Sequence, residues 1–416
     1  MLGKKNLGIL KLKEFYLESE VADILGISKK SLSKFKKDDL FRNIYKKKEG
    51  FINYQILKDL DIFKELKNSK WDQEFKTKPK KNYKVIELFA GAGGLAIGLK
   101  KAGFSTLILN DIDKDSCATL STNLNSHIIN DDVKNLCLKE YEGKVDILSG
   151  GFPCQAFSYA GKKLGFRDTR GTLFYEFAKR VKECKPKIIL AENVKGLKSH
   201  DKGRTLTTIS DVINEIGYDL VEPKILRAIF YQVPQKRERL ILVGVRKDLK
   251  GKNLYSYPDP HSKIFTLKDA LKKGELYSTN CPKSQGSCYP EKKKEVLDQV
   301  PPGGYWKDLP DKVQREFMKG SYYLGGGKTG LARRLSWNEP SLTLTCAPAQ
   351  GQTERCHPTY TRPLTIREYA RIQTFPDNWK FIGSISSQYR QIGNAVPVNL
   401  GYAIGRSLVR LLNELK

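Results

Sequence analysis

Val85-Ile86-Glu87-Leu88-Phe89-Ala90-Gly91-Ala92-Gly93-Gly94-Leu95 joins an apolar, strand-like run directly to a glycine-rich turn and then to an amphipathic stretch. Glycine carries no Cβ and tolerates positive φ, so such a turn between a first strand and a first helix lets a ligand approach the backbone closely. The spacing departs from the GxGxxG of dinucleotide enzymes, and the turn alone is equally compatible with an unliganded strand-to-helix corner. Outward from it the pattern repeats. Apolar runs at 106–110, 145–149, 187–191 and 239–245 alternate with helical stretches between Tyr83 and about Arg246. That alternation predicts an α/β fold, a mostly parallel sheet with helices on both faces.

The ends of these runs carry the polar residues. The second closes on Asn110-Asp111-Ile112-Asp113, and a further acidic pair, Asp131-Asp132, follows another short apolar stretch. An acid at that distance from the glycine turn is placed to accept from ribose hydroxyls. Acids at successive strand ends suit a nucleoside ligand, whereas each alone is an ordinary turn acid. The run 145–149 leads into Gly150-Gly151-Phe152-Pro153-Cys154-Gln155. A cysteine at the carboxyl end of a buried strand lies where α/β sites form, although a lone cysteine is more often inert. A polar, basic stretch at 161–172 follows, suited to closing over a substrate. Glu192, in Glu192-Asn193-Val194, faces the same crevice. Gln235-Lys236-Arg237-Glu238-Arg239 opens the last run, and alternation puts Arg237 and Arg239 on one face; charged gatekeepers of an edge strand are the plainer reading.

Composition narrows the class. The net charge is +28, from 74 Lys and Arg against 46 Asp and Glu, which favours a polyanionic partner through counterion release; a Lys-rich solvated surface would give the same figure. Eight cysteines without a CxxC pair, and four histidines, argue against a metal site. No apolar run is long enough for a signal peptide or a membrane span, so a cytoplasmic protein with reduced thiols is expected.

Taken together, the strings ELFAGAGGL, GGFPCQAFSYAG, ENVKGL, QKRER, RPLTIREYARIQTFPD and QIGNAVP, in this order from about Val85 to the C-terminus, resemble the signature motifs of the DNA cytosine-C5 methyltransferases of bacterial restriction-modification systems. The resemblance implies the class I S-adenosylmethionine-dependent methyltransferase fold, Rossmann-like, and methylation of a cytosine flipped out of double-stranded DNA. It implies S-adenosyl-L-methionine as cofactor, no metal, a monomer on DNA, and a functional pairing with a restriction endonuclease without a stable complex. By position, Cys154 matches the covalent nucleophile and Glu192 the acid at ring nitrogen 3. Arg239 matches the ligand of cytosine oxygen 2, with Arg237 nearby on sugar-phosphate. Phe89, Gly91, Gly93 and Gly94 match the cofactor loop, Asp111 the ribose acid and Asp132 the adenine-side acid. Pro153 and Leu173 line the same pocket, and Asn394 matches a cofactor contact that brings the C-terminal helix back beside the first strand.

The domains expected are a catalytic and cofactor-binding domain at 83–247, an irregular target-recognition domain at 248–360, and C-terminal motifs at 361–416. In the recognition stretch, Arg333, Arg334 and Arg355, with Trp337, Thr343, Thr345 and Gln352, are candidates for reading DNA. Residues 76–82 read as a basic linker. Before them, 1–75 contains helix, Gly26 turn and helix, with apolar Val21, Ile24, Leu25, Ile27, Leu32 and Phe35 and a second helix presenting Lys29, Lys30, Ser31 and Lys34. It is similar to the MerR and excisionase type of helix-turn-helix; a plain helical appendage is the alternative. Two other functions stay in view. The tRNA-methylating branch of the family carries a Cys-Phe-Thr string absent here, and a DNA-binding regulator with a decayed catalytic domain would not be expected to keep Cys154, Glu192, Arg237 and Arg239 together.

Overall fold

The computed structural model describes residues 12–28, 30–32, 50–74, 76–153, 172–325 and 328–415. The chain forms two compact units, one of Met1–Gln73 with Asp259–Ile264, the other of Glu74–Pro258 with Phe265–Lys416.

The larger unit is built on an eight-stranded sheet. Its strands in chain order are β1 (Lys84–Leu88), β2 (Ser105–Asp111), β3 (His127–Asn130), β4 (Ile147–Gly150), β5 (Ile188–Val194), β6 (Tyr218–Leu220), β7 (Lys224–Arg227) and β8 (Glu238–Arg246). They lie side by side as β3-β2-β1-β4-β5-β8-β6, with β7 also on β8. The first five run parallel. β8 is antiparallel to β5, β6 and β7. The order reverses at β1, which has β2 on one side and β4 on the other, so a crevice opens beyond the carboxyl ends of β1 and β4.

The helices used below are α1 (Gly94–Ala102), α2 (Lys114–Asn123), α3 (Leu173–Cys184), α4 (Arg204–Glu215), α5 (Ile366–Ile372), α6 (Ile385–Asn394) and α7 (Val398–Glu414). Buried strands of a parallel sheet are apolar on both faces, and here each face has its own core. Ile86, Leu88, Leu148, Ile189 and Leu242 pack with Phe177 and Val181 of α3 and Ile209 and Val212 of α4. Leu109 packs with Ala96 and Ile97 of α1, Tyr369 of α5, Ile392 of α6 and Val398 of α7. α7 lies on α1 with almost no side chain between them: a Cβ on Gly98 would come within 2.6 Å of the Gly401 backbone, and one on Gly405 within 2.6 Å of Ala102. Residues 76–82, expected to be a linker, are held to the end of α7. Asn413 accepts from the Lys80 N–H at 2.9 Å and the Tyr83 hydroxyl at 2.8 Å, and donates to the Lys78 carbonyl at 2.9 Å.

Between 248 and 360 the α/β rhythm stops, as the sequence predicts. Short helices surround a small core of Tyr289, Leu297, Val300, Trp306, Met318 and Cys356. The stretch joins the rest through a two-residue parallel pairing of Gln235–Lys236 with Ser341–Leu342 and through Leu267, Leu271, Leu335 and Leu344, which pack into the core around α1 and α5.

In the smaller unit Phe15–Leu17 pairs antiparallel with Phe51–Asn53. Helix Glu18–Leu25 ends at Gly26, whose φ of 71° forms the left-handed cap. Ser28 Oγ then accepts from the Ser31 N–H at 2.9 Å, where helix resumes. Val21, Ile24, Leu32, Ile52, Leu57 and Phe63 make the core. Lys30 is exposed and Ser31 half-buried; Lys29, Lys34 and Phe35 lie outside the described residues. The boundary expected at 75 misses a partner from far along the chain: Asp259 accepts from the Lys70 N–H at 2.8 Å, and His261 stands edge-on to Trp71 at 5.3 Å. Among the described residues no helix is long and apolar enough to cross a membrane.

Candidate active site

The glycine turn is strained in the way its sequence permits. Phe89, Gly91 and Gly93 all have positive φ, at 57°, 53° and 84°. For the two glycines this is cheap; for Phe89 it costs about 1 kcal/mol or more, which the surrounding contacts sustain. Asp111, at the end of β2, fixes the turn: its carboxylate accepts from the Gly91 N–H at 2.7 Å and the Asp113 N–H at 2.8 Å. Burial pushes the Asp111 pKa up, against those hydrogen bonds. Gly94 starts α1 so close to the α6–α7 junction that a Cβ there would overlap the Val396 carbonyl at 2.1 Å.

These elements enclose a cleft of about 650 Å³ at the switch point. Of the nine residues expected around the cofactor, eight line it: Phe89, Gly91, Gly94, Asp111, Asp132, Pro153, Leu173 and Asn394. Gly93 does not; its Cβ position faces Leu120 and Trp379, so its glycine serves the turn. Asp132 caps a short 3-10 turn by accepting from the Lys134 N–H at 3.0 Å. Leu173 enters as the first residue of α3, capped by Thr172, which accepts from the Tyr175 N–H at 3.1 Å. Asn394 accepts from the Cys346 thiol at 3.1 Å.

At the other end of the cleft stand Glu192 and Arg239. Antiparallel pairing sets Ile241 opposite Glu192 and Arg239 opposite Val194, and the two side chains form an ion pair at 2.5 Å, both mostly buried. Cys154 lies outside the described residues; Pro153, just before it, is on the cleft wall. Asn193 ties β5 to this corner by donating to the Phe152 carbonyl at 2.9 Å.

Arg237 departs from expectation. Alternation gave it the face of Arg239, yet it is 1% exposed, does not line the cleft, and donates to the Leu344 carbonyl at 3.2 Å and the Gly393 carbonyl at 2.9 Å. Burial lowers its pKa, with Arg239 adding repulsion. It braces the loops behind the site rather than presenting a charge to sugar-phosphate. Two of the DNA-reading arginines are likewise turned inward. Arg334 donates to the carbonyls of His357 at 3.2 Å and Leu297 at 2.6 Å. Arg355 donates to the carbonyls of Thr343 at 3.1 Å and Glu354 at 2.7 Å. Irregular chain leaves many carbonyls without ladder partners, and a five-donor guanidinium satisfies several at once. Arg333 is half-buried over the Tyr305 ring at 5.7 Å, and Gln352 is exposed.

One residue was missed. Glu87 lines the cleft and is 3% exposed, with one carboxylate oxygen lacking any hydrogen-bond partner. Burial, then Asp111 and Glu192, raise its pKa to about 8. The signal was a lone charge inside the apolar run Val85-Ile86-Glu87-Leu88-Phe89.

Comparison with known proteins gives one family. A family model described as C-5 cytosine-specific DNA methylase matches residues 83–410. The chain is 57% identical over 411 residues to the type II methyltransferase M.Eco47II of Escherichia coli, covering 97% of each. It is 54% identical over 399 residues to M.PspPI of a Psychrobacter strain, covering 94% of this chain and 95% of that one. At these coverages both alignments extend into the smaller N-terminal unit. Among solved structures, a prophage-encoded DNA modification methyltransferase from E. coli aligns with 80% of this chain and 100% of its own, at a TM-score of 0.60 and 25% identity.

Proposed function

Because the chain belongs to the C-5 cytosine-specific DNA methylases, we propose that the cleft at the β1–β4 switch point receives both the methyl donor and a cytosine turned out of the duplex. The enzyme is a DNA cytosine-C5 methyltransferase of restriction-modification type that uses S-adenosylmethionine. The observation that carries the site assignment is the single cleft with Asp111 and Asp132 at one end and the Glu192–Arg239 pair at the other.

The residues present fit the cofactor. The left-handed Gly91, the Gly94 position that no Cβ fits, and the unpartnered carboxylate oxygen of Glu87 make a cradle with an acceptor to spare. Phe89, Gly91, Gly94 and Asn394 would hold the methionyl side, Asp111 the ribose hydroxyls, and Asp132, Pro153 and Leu173 the adenine side. When bound, the cofactor supplies an electrophilic methyl group.

The chain's own residues make the acceptor. Carbon 5 of cytosine is a poor nucleophile. The thiolate of Cys154 adds to carbon 6, forming a C–S bond and leaving carbon 5 enamine-like. Glu192 holds a proton against ring nitrogen 3, and Arg239 donates to oxygen 2, where negative charge develops. With no base present these two side chains satisfy each other, so neither is left as an unpaired buried charge. After transfer, loss of the carbon-5 proton and expulsion of the thiolate restore the ring. Arg333, Trp337, Thr343, Thr345 and Gln352 in the 248–360 stretch are the candidates left for reading target DNA. The enzyme works as a monomer on DNA and shares its target with an endonuclease that it does not stably bind.

Bisulfite sequencing of DNA and of tRNA from cells expressing the chain tests this reading. One cytosine within one short sequence is expected to resist conversion throughout the genome; uniform conversion would overturn it, and resistance confined to tRNA would move the enzyme to the other branch of the family.

The N-terminal unit is proposed as a second DNA contact, read through Lys29, Lys30, Ser31 and Lys34. Its removal is best made at Gln73, because Glu74 belongs to the catalytic unit: its carboxylate pairs with Arg410 and its carbonyl accepts from Arg406 at 3.0 Å. Deleting 1–73 is expected to leave target methylation largely intact and to remove a second footprint, such as one on the operon's own promoter. Lys29→Ala with Lys34→Ala should weaken that footprint and flatten its salt dependence. A folded truncation without methylation would make the unit part of the catalytic machinery. No second footprint from the full chain at any salt would make it a structural appendage.

A further inference from the structure

A carboxylic acid in the first strand of a buried sheet is costly, and a fold keeps one when it is used. Ile86 and Leu88 point into the core under α3 and α4. Alternation therefore turns Glu87 to the other face, beside Ser149 of β4 and, one strand further, Leu190 of β5. Glu192 follows Leu190 on that same face. The charged groups acting on Glu87 are Asp111 from β2 and Glu192 from β5, both acids, and Glu192 is already paired with Arg239. From above, Gly94 and Leu95 of α1 and the turn Asn394-Ala395-Val396 close the cleft; the cation on that wall, Arg390 of α6, is paired with Asp113 at 2.9 Å and does not act on Glu87. Among the described residues no Lys, Arg or His reaches Glu87, and its free oxygen borders the cleft. The fold leaves this acceptor without a donor, one strand from the ribose-side acid Asp111 and two strands from the base-side acid Glu192.

We propose that Glu87 makes cofactor binding a proton-releasing event: in the free enzyme it carries a proton, and on binding it gives that proton to solvent and takes the α-ammonium of the methionyl moiety in its place. The inference rests on the reading of this cleft as the cofactor site. The ammonium is the group with the right chemistry. It brings charge and three N–H donors, whereas the sulfonium brings charge without a donor, and the ribose hydroxyls have Asp111. Exchange of a proton for a cation keeps the buried charge count unchanged, so three neighbouring acids never stand ionised together without a counter-charge.

The sign follows from the free-state pKa of about 8. At pH 7 the free acid is mostly protonated and the bound one ionised, so close to one proton leaves per molecule bound. Below pH 8 affinity falls as pH falls, approaching tenfold per unit. Above pH 8 the acid is already ionised and the release disappears; at still higher pH the ligand's own α-amino group, which beside its carboxylate ionises above a chain N-terminus, begins to need a proton. Affinity therefore rises up to pH 8 and levels off before it falls again.

The probe is S-adenosylhomocysteine, which keeps the ammonium and undergoes no transfer. Calorimetric titration of the full chain at pH 7, in two buffers of different ionisation enthalpy, gives the dissociation constant and the proton count together. Wild-type protein is expected to release close to one proton. Glu87→Gln, isosteric and without a titratable proton, should release none and bind about tenfold or more weakly. A homocysteine analogue lacking the amino group should bind both proteins alike, with no proton released. The proposal is overturned if wild type releases no proton at pH 7, if Glu87→Gln releases as many as wild type, or if the deaminated analogue still drives release. Asp111→Ala separates the two readings. If it leaves binding unchanged, the cleft is not the cofactor site; if it weakens binding while Glu87→Gln matches wild type, the site stands and Glu87 has no part in it.

Discussion

Cys154→Ser is expected to remove methyl transfer while DNA binding persists. The step asked of this residue is addition to an aromatic ring carbon, and only an anionic sulfur does that at neutral pH. An ordinary cysteine ionises near ~8.5, within reach of modest local help, whereas a serine hydroxyl stays protonated and is a far weaker nucleophile. Binding draws on other parts of the chain, so a gel-shift or footprint on target DNA should be little changed. Methyl incorporation is the deciding measurement. If the variant kept a tenth of wild-type turnover, the thiol would be supplying only about 1.4 kcal/mol of the barrier, and a covalent route would be wrong. DNA carrying 5-fluorocytosine at the target gives the positive counterpart. Fluorine blocks departure of the substituent at carbon 5, so the thioether cannot resolve, and mass spectrometry should find it on the peptide that contains Cys154. An adduct on another cysteine, such as Cys346, whose thiol donates to the cleft-lining Asn394, would reassign the nucleophile.

Arg371→Met is expected to cost about 3–5 kcal/mol of folding stability, the scale for removing one partner of a buried, hydrogen-bonded charge. The guanidinium is fully buried at the centre of the string RPLTIREYARIQTFPD. It makes a two-point contact with Asp377, at 2.8 and 2.5 Å, and donates to the carbonyls of Ala270, Thr279 and Asn280 at 3.3, 2.9 and 3.2 Å. The Tyr277 ring lies over it at 4.2 Å. Asp377 is partly exposed and can turn to water, so most of the loss comes from the three carbonyls left without donors. Methionine keeps the length and apolar bulk of the side chain, which limits the cavity. Urea denaturation at pH 7 measures the difference. A loss below about 1 kcal/mol would mean that water replaces the guanidinium, and that this motif residue is not structural.

That contrast marks what was legible in the sequence. Five strands were, because β1, β2, β4, β5 and β8 are apolar on both faces and each ends in a polar cluster. β3 showed only as a short apolar stretch before Asp131, and β6 and β7 not at all; three or four half-open residues carry too little apolar signal. Eight of nine expected cofactor residues line one cleft because strand ends and glycine turns are fixed by backbone geometry, which sequence spacing records. The arginines failed for the opposite reason. Alternation says which face Arg237 starts on, not whether the loops of Leu344 and Gly393 will fold over it and take its donors. Nothing in the local string distinguishes Arg334 or Arg355, buried under carbonyls, from Arg333 beside them. The same holds for 259–264, which join a unit whose other residues end at Gln73; a partnership across that much sequence leaves no periodic trace.

The close seating of α7 on α1 bears on when the enzyme becomes competent during synthesis. β1, the glycine turn and Asp111 leave the ribosome early, but the wall opposite them, Asn394 to Val396, follows much later in the chain and is positioned by a helix that runs to Glu414. Until that helix emerges and docks against Gly98, the nascent chain has half a cofactor cleft with its apolar floor open to solvent. Methylation thus waits for that helix, and a message cut anywhere before it yields a protein that does not modify DNA at all.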